Sequence, residues 1–182
     1  MTTPPLMLAE RHAADYAEIE FQSIGSQAEV YSAQYKALRR PERVAIKVMR
    51  PDSAPGKSAE EMRARFLAEA EALRSVSHPH VVRVFEIVEA KLRGESTLGF
   101  VMEWLETTFS ACVRQAPGGL DEARLCRYFE AALKGLGALH EAGIAVRDLR
   151  PENLLLNARD QLKLADLGMA RTETAVLSIR EQ

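Results

Sequence analysis

Three side chains in the last quarter of the sequence are of the right types and spacing to work on a phosphate. They are Asp148, Asn153 and Asp166, all within residues 146–168, VRDLRPENLLLNARDQLKLADLG. Residues 154–157 and 162–165 read as two short strands, and 158–161 is a polar link of hairpin type. Antiparallel pairing would set Asn153 opposite Asp166, with Asp148 five positions upstream in the incoming loop. Carboxylate and amide oxygens suit a hard cation such as Mg²⁺, which keeps waters and takes phosphate oxygens. A further carboxylate nearby can accept a hydroxyl proton. Those are the parts of a phosphoryl transfer, in which positioning and charge neutralisation do most of the catalysis. Taken alone, the stretch reads better as an ordinary hairpin with polar ends; the order of residue types overturns that.

A second pair lies upstream. In the strand pattern 44–49, Val44, Ile46 and Val48 share one face, and Ala45, Lys47 and Met49 share the other. A lysine inside an apolar strand is costly unless it meets an anion; on an edge strand it would sit in water, the commoner case for a lone lysine. The following segment supplies an anion. Ser58 and Glu61 form a capping-box signature, and the helix they start runs to about residue 76. Met62, Phe66, Glu69, Leu73 and Val76 make one stripe on it, while Glu60, Arg63, Glu71 and Arg74 lie off the stripe. A carboxylate on a core-facing stripe and a cation in an apolar strand explain each other.

The residue order around both sets resembles the eukaryotic-type (Hanks-type) serine/threonine protein kinases. Residues 147–153, RDLRPEN, resemble their catalytic loop; 166–168, DLG, resemble their metal-binding triplet; and 44–47, VAIK, match their lysine motif letter for letter. The resemblance covers about residues 21–168. It implies an α+β, protein-kinase-like fold: an N-terminal five-stranded antiparallel sheet with one helix, then a truncated, mainly helical C-terminal lobe. It implies that Asp148 positions a substrate hydroxyl and takes its proton, that Arg150 (in place of the usual lysine) steadies the transferring group, and that Asn153 and Asp166 hold Mg²⁺. Lys47, fixed by Glu69, would hold the phosphates of ATP. The adenine would meet Ile24, Val30, Ala45, Met102 and Leu155, with the hinge at Glu103 and Leu105.

Three departures from the family pattern stand out. The glycine-rich loop keeps only Gly25 in 24–31, IGSQAEVY, and is two residues short, which puts its grip on phosphates in doubt. Val146 stands where the family has histidine; with Leu73, Val84 and Leu167 it would complete an internal apolar column, so a tuning effect is expected there. Fourteen residues follow Gly168, with Thr172, Thr174 and Ser178 as the start of an activation segment. On these grounds the transfer activity is expected to be impaired, and the chain to be marginally stable or self-associated through an uncovered helical face. A nucleotide-binding pseudokinase and a dimerising interaction fragment are the other readings. Gly56-Lys57-Ser58 imitates the tail of a Walker A loop, but the glycine required five positions earlier is Pro51.

The rest of the chain frames these sites. Residues 1–14, with Pro4 and Pro5, read as a flexible arm; 15–105 as the sheet lobe and hinge; 106–182 as the partial helical lobe. Strands are expected near 19–24, 30–35, 44–49, 82–88 and 98–102, with a polar link at 39–42 and a polar loop at 91–97. A short helix is expected at 107–115. A long one is expected from Asp121 to about residue 142, with Leu125, Phe129, Leu133, Leu136 and His140 as its core stripe and Gly143 as its stop. His78 and His80 flank Pro79 with no third ligand, so a turn is expected and not a metal site. A net charge of −2 gives no basic footprint for nucleic acid. No apolar run reaches bilayer length and no signal peptide stands out, so a cytoplasmic protein is expected. Cys112 and Cys126 are expected to pack as free thiols.

Overall fold

Alternating apolar residues build the first half. The computed structural model describes residues 6–36, 42–51 and 58–167, and the backbone of 171–172. The link at 39–41, Gly56-Lys57, Gly168, Thr174 and Ser178 lie outside the described residues. The chain divides into two compact units, residues 1–70 with 84–104, and residues 71–83 with 105–182.

The first unit contains β1 (Met7–Leu8), α1 (Glu10–Ala13), β2 (Tyr16–Ile24), β3 (Ala28–Tyr35), β4 (Glu42–Met49), most of α2 (Ala59–Ser75), β5 (Val84–Leu92) and β6 (Glu95–Glu103). Six strands pair antiparallel in the order β1-β5-β6-β4-β3-β2. The sixth strand corrects the expected five. Leu6 and Leu8 are buried in the sheet core with Tyr31, Val44, Ile46, Val48 and Val101, and Met7 and Leu8 pair with Lys91 and Ala90. Leu6 and Leu8, two apart, turn to the same face of the strand.

The polar loop expected at 91–97 is a tight hairpin. Leu92 pairs with Glu95, and Arg93 and Gly94 both have positive φ, 54° and 87°. That is a two-residue connection whose twist suits antiparallel strands. The expected capping box opens α2: Ser58 N donates to the Glu61 carboxylate at 3.3 Å, and Glu61 N to Ser58 Oγ at 3.1 Å. Phe66, Glu69 and Leu73 are buried along it, and Glu60, Arg63, Glu71 and Arg74 are exposed, as their spacing requires.

The second unit adds β7 (Thr107–Thr108), α3 (Phe109–Arg114), α4 (Glu122–Glu141), β8 (Ile144–Ala145), a 3₁₀ turn (Pro151–Asn153), β9 (Leu154–Leu156), β10 (Leu162–Leu164) and β11 (Arg171–Thr172). β10, β9 and β7 form a three-stranded sheet, and β8 pairs with β11. Thr108 and Asp121 cap α3 and α4 through their side chains, and Gly143 follows α4 at φ 72°.

The core face of α4 differs from the expected stripe. Tyr128, Ala131, Ala132, Gly135 and Leu139 are buried, whereas Phe129 and Leu133 are 61% and 67% exposed. Both sets follow helical spacing. The close-packed face is the one made of small residues, because it lets neighbouring backbone approach. Gly135 shows how close: a Cβ there would lie 2.5 Å from the His80 carbonyl oxygen. Cys112 packs partly buried beside this core, and Cys126 is exposed. No helix among the described residues is long and apolar enough to cross a membrane.

Candidate active site

β4 is hydrogen-bonded on both sides, to β3 and β6, so Lys47 is not on an edge. Its ammonium meets the Glu69 carboxylate at 2.6 Å, with side-chain exposures of 13% and 6%. The pair expected from the two stripes is therefore closed and nearly dry. Phe100, opposite Lys47 in the register, places its ring 5.6 Å below the ammonium. Sequence reading missed Phe100: a strand was expected at 98–102, but its pairing beside β4 comes from the structure.

Residues directly opposite one another in adjacent strands share a face. Val30 lies opposite Lys47, and Met102 opposite Ala45. Val30, Ala45, Lys47 and Met102 are thus brought together on one face. Glu103 ends β6 half-buried, Leu105 is buried, and the Arg43 guanidinium lies 3.7 Å from the centre of the Trp104 ring.

Ile24 does not join that face. It pairs with Glu29, while Ser23 pairs with Val30. The connection between β2 and β3 is closed tightly by Gly25 N donating to the Ala28 carbonyl at 2.8 Å. Two missing residues move the register, and a one-residue slip sends a side chain to the opposite face. The turn is also tied from outside, since Arg50 donates from its backbone to Gln27 O and from its guanidinium to Gly25 O. Glu29 beside it is fully buried and accepts from Tyr31 and Arg93. Burial first, and then the Glu29 hydrogen bond, push the Tyr31 phenol up, which keeps it a donor.

In the second unit, β9 and β10 pair as expected, with Leu162 opposite Leu156 and Leu164 opposite Leu154. The hairpin is one residue out from the sequence-based register. Ala165 N donates to Asn153 O at 3.0 Å, so Ala165 and not Asp166 lies opposite Asn153; Asp166 follows, half-buried. The strands leave the tip in strict pairing, and the tip length fixes which residues meet. Asn153 is buried, and its side-chain nitrogen donates to Asp148 O at 2.8 Å. That bond turns the amide so that its oxygen is the ligand-capable atom. Asp148 and Arg150 stand 3.4 Å apart at 48% and 58% side-chain exposure, open to an incoming substrate. Leu155, on β9, is half-buried.

The hairpin is gripped along β10 as well. Val82 N donates to Leu164 O, Leu164 N donates to His80 O, and a ring nitrogen of His80 lies 2.9 Å from Leu162 O. His80 and His78 are thus part of a turn, as expected. At the tip, Arg124 and Tyr128 both bind Asp160, a cluster that sequence reading did not find.

A match to the protein kinase domain model extends over residues 19–178. The chain belongs to the protein kinase domain family. Cyclin-dependent kinase 15 of Mus musculus is 34% identical over 164 residues, 89% of this chain and 35% of that protein. Cyclin-dependent kinase 14 of Xenopus tropicalis is 32% identical over 162 residues, 89% of this chain and 36% of that protein. The probable serine/threonine-protein kinase pknA2 of Bifidobacterium longum (strain NCC 2705) is 35% identical over 147 residues, 81% of this chain and 19% of that protein. This kinase domain chain therefore spans about a third or less of the length of these relatives.

Proposed function

We propose that this protein transfers the terminal phosphoryl group of ATP to a serine or threonine hydroxyl of a protein substrate. The observation that carries the reading is the closed Lys47–Glu69 pair, 2.6 Å apart and nearly dry. Desolvating two charges costs about as much as their attraction returns, so the pair fits a role in fixing the lysine, and here the fixed cation shares its face with small and apolar residues suited to a base.

In this reading Val30, Ala45 and Met102 face the adenine, with Leu155, and the backbone of Glu103–Leu105 meets its edge. Lys47 holds the phosphates. Asn153 and Asp166 offer an amide and a carboxylate oxygen, a donor set that fits Mg²⁺; the ion would neutralise charge on the phosphates. Asp148 orients the substrate hydroxyl and accepts its proton as the new oxygen–phosphorus bond forms. The bond from the γ-phosphorus to its bridging oxygen breaks, and ADP leaves. Arg150 supplies positive charge beside Asp148. Radiolabelled ATP with Mg²⁺ and a generic protein substrate tests this. Asp148→Ala should lower transfer by about 10²–10⁴-fold; equal transfer by both proteins would refute the assignment.

A second reading keeps nucleotide binding and drops transfer. The tight turn at Gly25 favours it, since the phosphates lose their backbone cover. Under it, ATP and adenosine bind with similar affinity in the absence of metal and no label moves. Self-association is proposed on the exposure of Phe129 and Leu133; sedimentation of wild type against Leu133→Ser tests it. A cytoplasmic location belongs to the same set of proposals.

A further inference from the structure

Asp160 sits at the tip of the β9–β10 hairpin with φ 60°, a backbone region that suits glycine and strains other residues. Its carboxylate is held from α4. Arg124 reaches it through Nη2 at 2.6 Å and Nε at 3.1 Å. Tyr128, one turn further along, donates its hydroxyl to the same carboxylate and accepts from Arg124 Nε at 2.7 Å. Tyr128 is itself buried in the α4 core, and Arg124 N is capped by Asp121 at 2.9 Å. The tip is therefore fastened to the capped N-terminal end of α4 and to a buried side chain one turn on. Within the tip, Asn157 Oδ1 accepts from Arg159 N and Gln161 N, which closes the link in one length.

Tip length sets the strand register, and the register sets where Asn153 and Asp166 emerge. We infer that Arg124, Tyr128 and Asp160 are positioning residues for the phosphoryl transfer: they lock the hairpin so that Asn153 and Asp166 stay in step as oxygen donors. The inference rests on the proposed transfer only for its activity readout. A surface ion pair with no such role would leave the far end of the hairpin indifferent to its loss.

Asp160→Gly separates the two, because glycine accepts φ 60° without strain while the fastening is lost. Two measurements are made on the whole chain. Hydrogen exchange of the Leu164 and Ala165 amides should speed up by about threefold to fivefold in Asp160→Gly and in Arg124→Met, and by less in Asp160→Asn, which keeps hydrogen-bonding capacity. In the transfer assay, the Mg²⁺ concentration for half-maximal rate should rise about fivefold in Asp160→Gly, with metal-free adenosine binding unchanged. Unchanged exchange at Leu164 and Ala165 overturns the inference, whatever the activity. If exchange changes and wild type transfers no phosphate, the clamp stands and the transfer reading falls. If exchange changes and the Mg²⁺ dependence does not, the clamp is structural and the positioning role is refuted.

Discussion

The two units present charged chemistry on opposite kinds of support. In the sheet unit, the Lys47 ammonium is sunk into a strand paired on both sides and held by a buried carboxylate. In the hairpin unit, Asp148 and Arg150 are half exposed on a loop, and only Asn153 behind them is buried. Under the proposed transfer, a lysine that binds one anion gains from a dry, fixed setting, because each bond it makes is stronger there, and a carboxylate that takes a proton from an incoming chain must stay open. The difference teaches that the sheet unit depends on satisfied buried charge, and the hairpin unit on packing and register.

The largest expected effect tests the first half of that comparison. Among the described residues Glu29, not Glu69, is the most buried carboxylate of the sheet unit, and it accepts from Tyr31 and Arg93, with Arg50 Nε at 4.0 Å. Removing one partner of a buried charged cluster leaves the others uncompensated. Arg93 is 38% exposed and can be hydrated, but the buried Tyr31 hydroxyl loses its acceptor, so Glu29→Ala should cost about 1–3 kcal/mol, while Glu29→Gln, which keeps hydrogen bonds, costs less. Denaturant unfolding measures both. A loss below about 1 kcal/mol for Glu29→Ala would show that the sheet does not rely on this charge.

The next effect tests the packing half, in a pair of glycines two residues apart on α4. A Cβ at Gly135 would meet the His80 carbonyl oxygen at 2.5 Å and Leu164 Cδ1 at 3.0 Å, while one at Gly137 meets nothing within 4 Å. Gly135→Ala must push backbone apart, an overpacking cost of about 1–3 kcal/mol. Gly137→Ala only removes a poor helix former, a gain of about 0.5–1 kcal/mol. Opposite shifts in the thermal midpoint are expected. Equal shifts would mean that the close approach of the His80 turn to α4 does not matter.

These same places mark how far the sequence could be read. The Lys47–Glu69 pair was legible because two independent periodicities each left a charge on an apolar face, and charge balance needed no coordinates. The Asp148–Asn153 loop was legible from residue order. Ile24 and the exact partner of Asn153 were not, since both depend on how many residues a turn consumes, which spacing alone does not give. The core face of α4 failed for another reason: size was taken as the mark of burial, yet Ala131, Ala132 and Gly135 are buried because small residues permit close contact. Asp160 looked like an ordinary turn residue, and its partners lie 32 and 36 positions away.

The smallest expected effect bears on that last cluster. The hydrogen bond from Arg124 first, and then that from Tyr128, hold the Asp160 carboxyl below the usual carboxylate range, with burial opposing. Its folded pKa therefore lies below its unfolded one. The pair contributes fully above the unfolded value, roughly pH 4, and its contribution is lost as pH falls through the folded value. Side-chain exposures of 33% for Arg124 and 42% for Asp160 leave the charges screened by water, so the contribution is at most about 1 kcal/mol, or roughly 2–4 °C in a chain of this size. Wild type should melt above Asp160→Asn at pH 7 in low salt, and the gap should narrow progressively as the pH falls below about 4. A gap that stays constant across that range would show that the Asp160 charge contributes nothing, and that hydrogen-bond geometry alone fastens the hairpin tip.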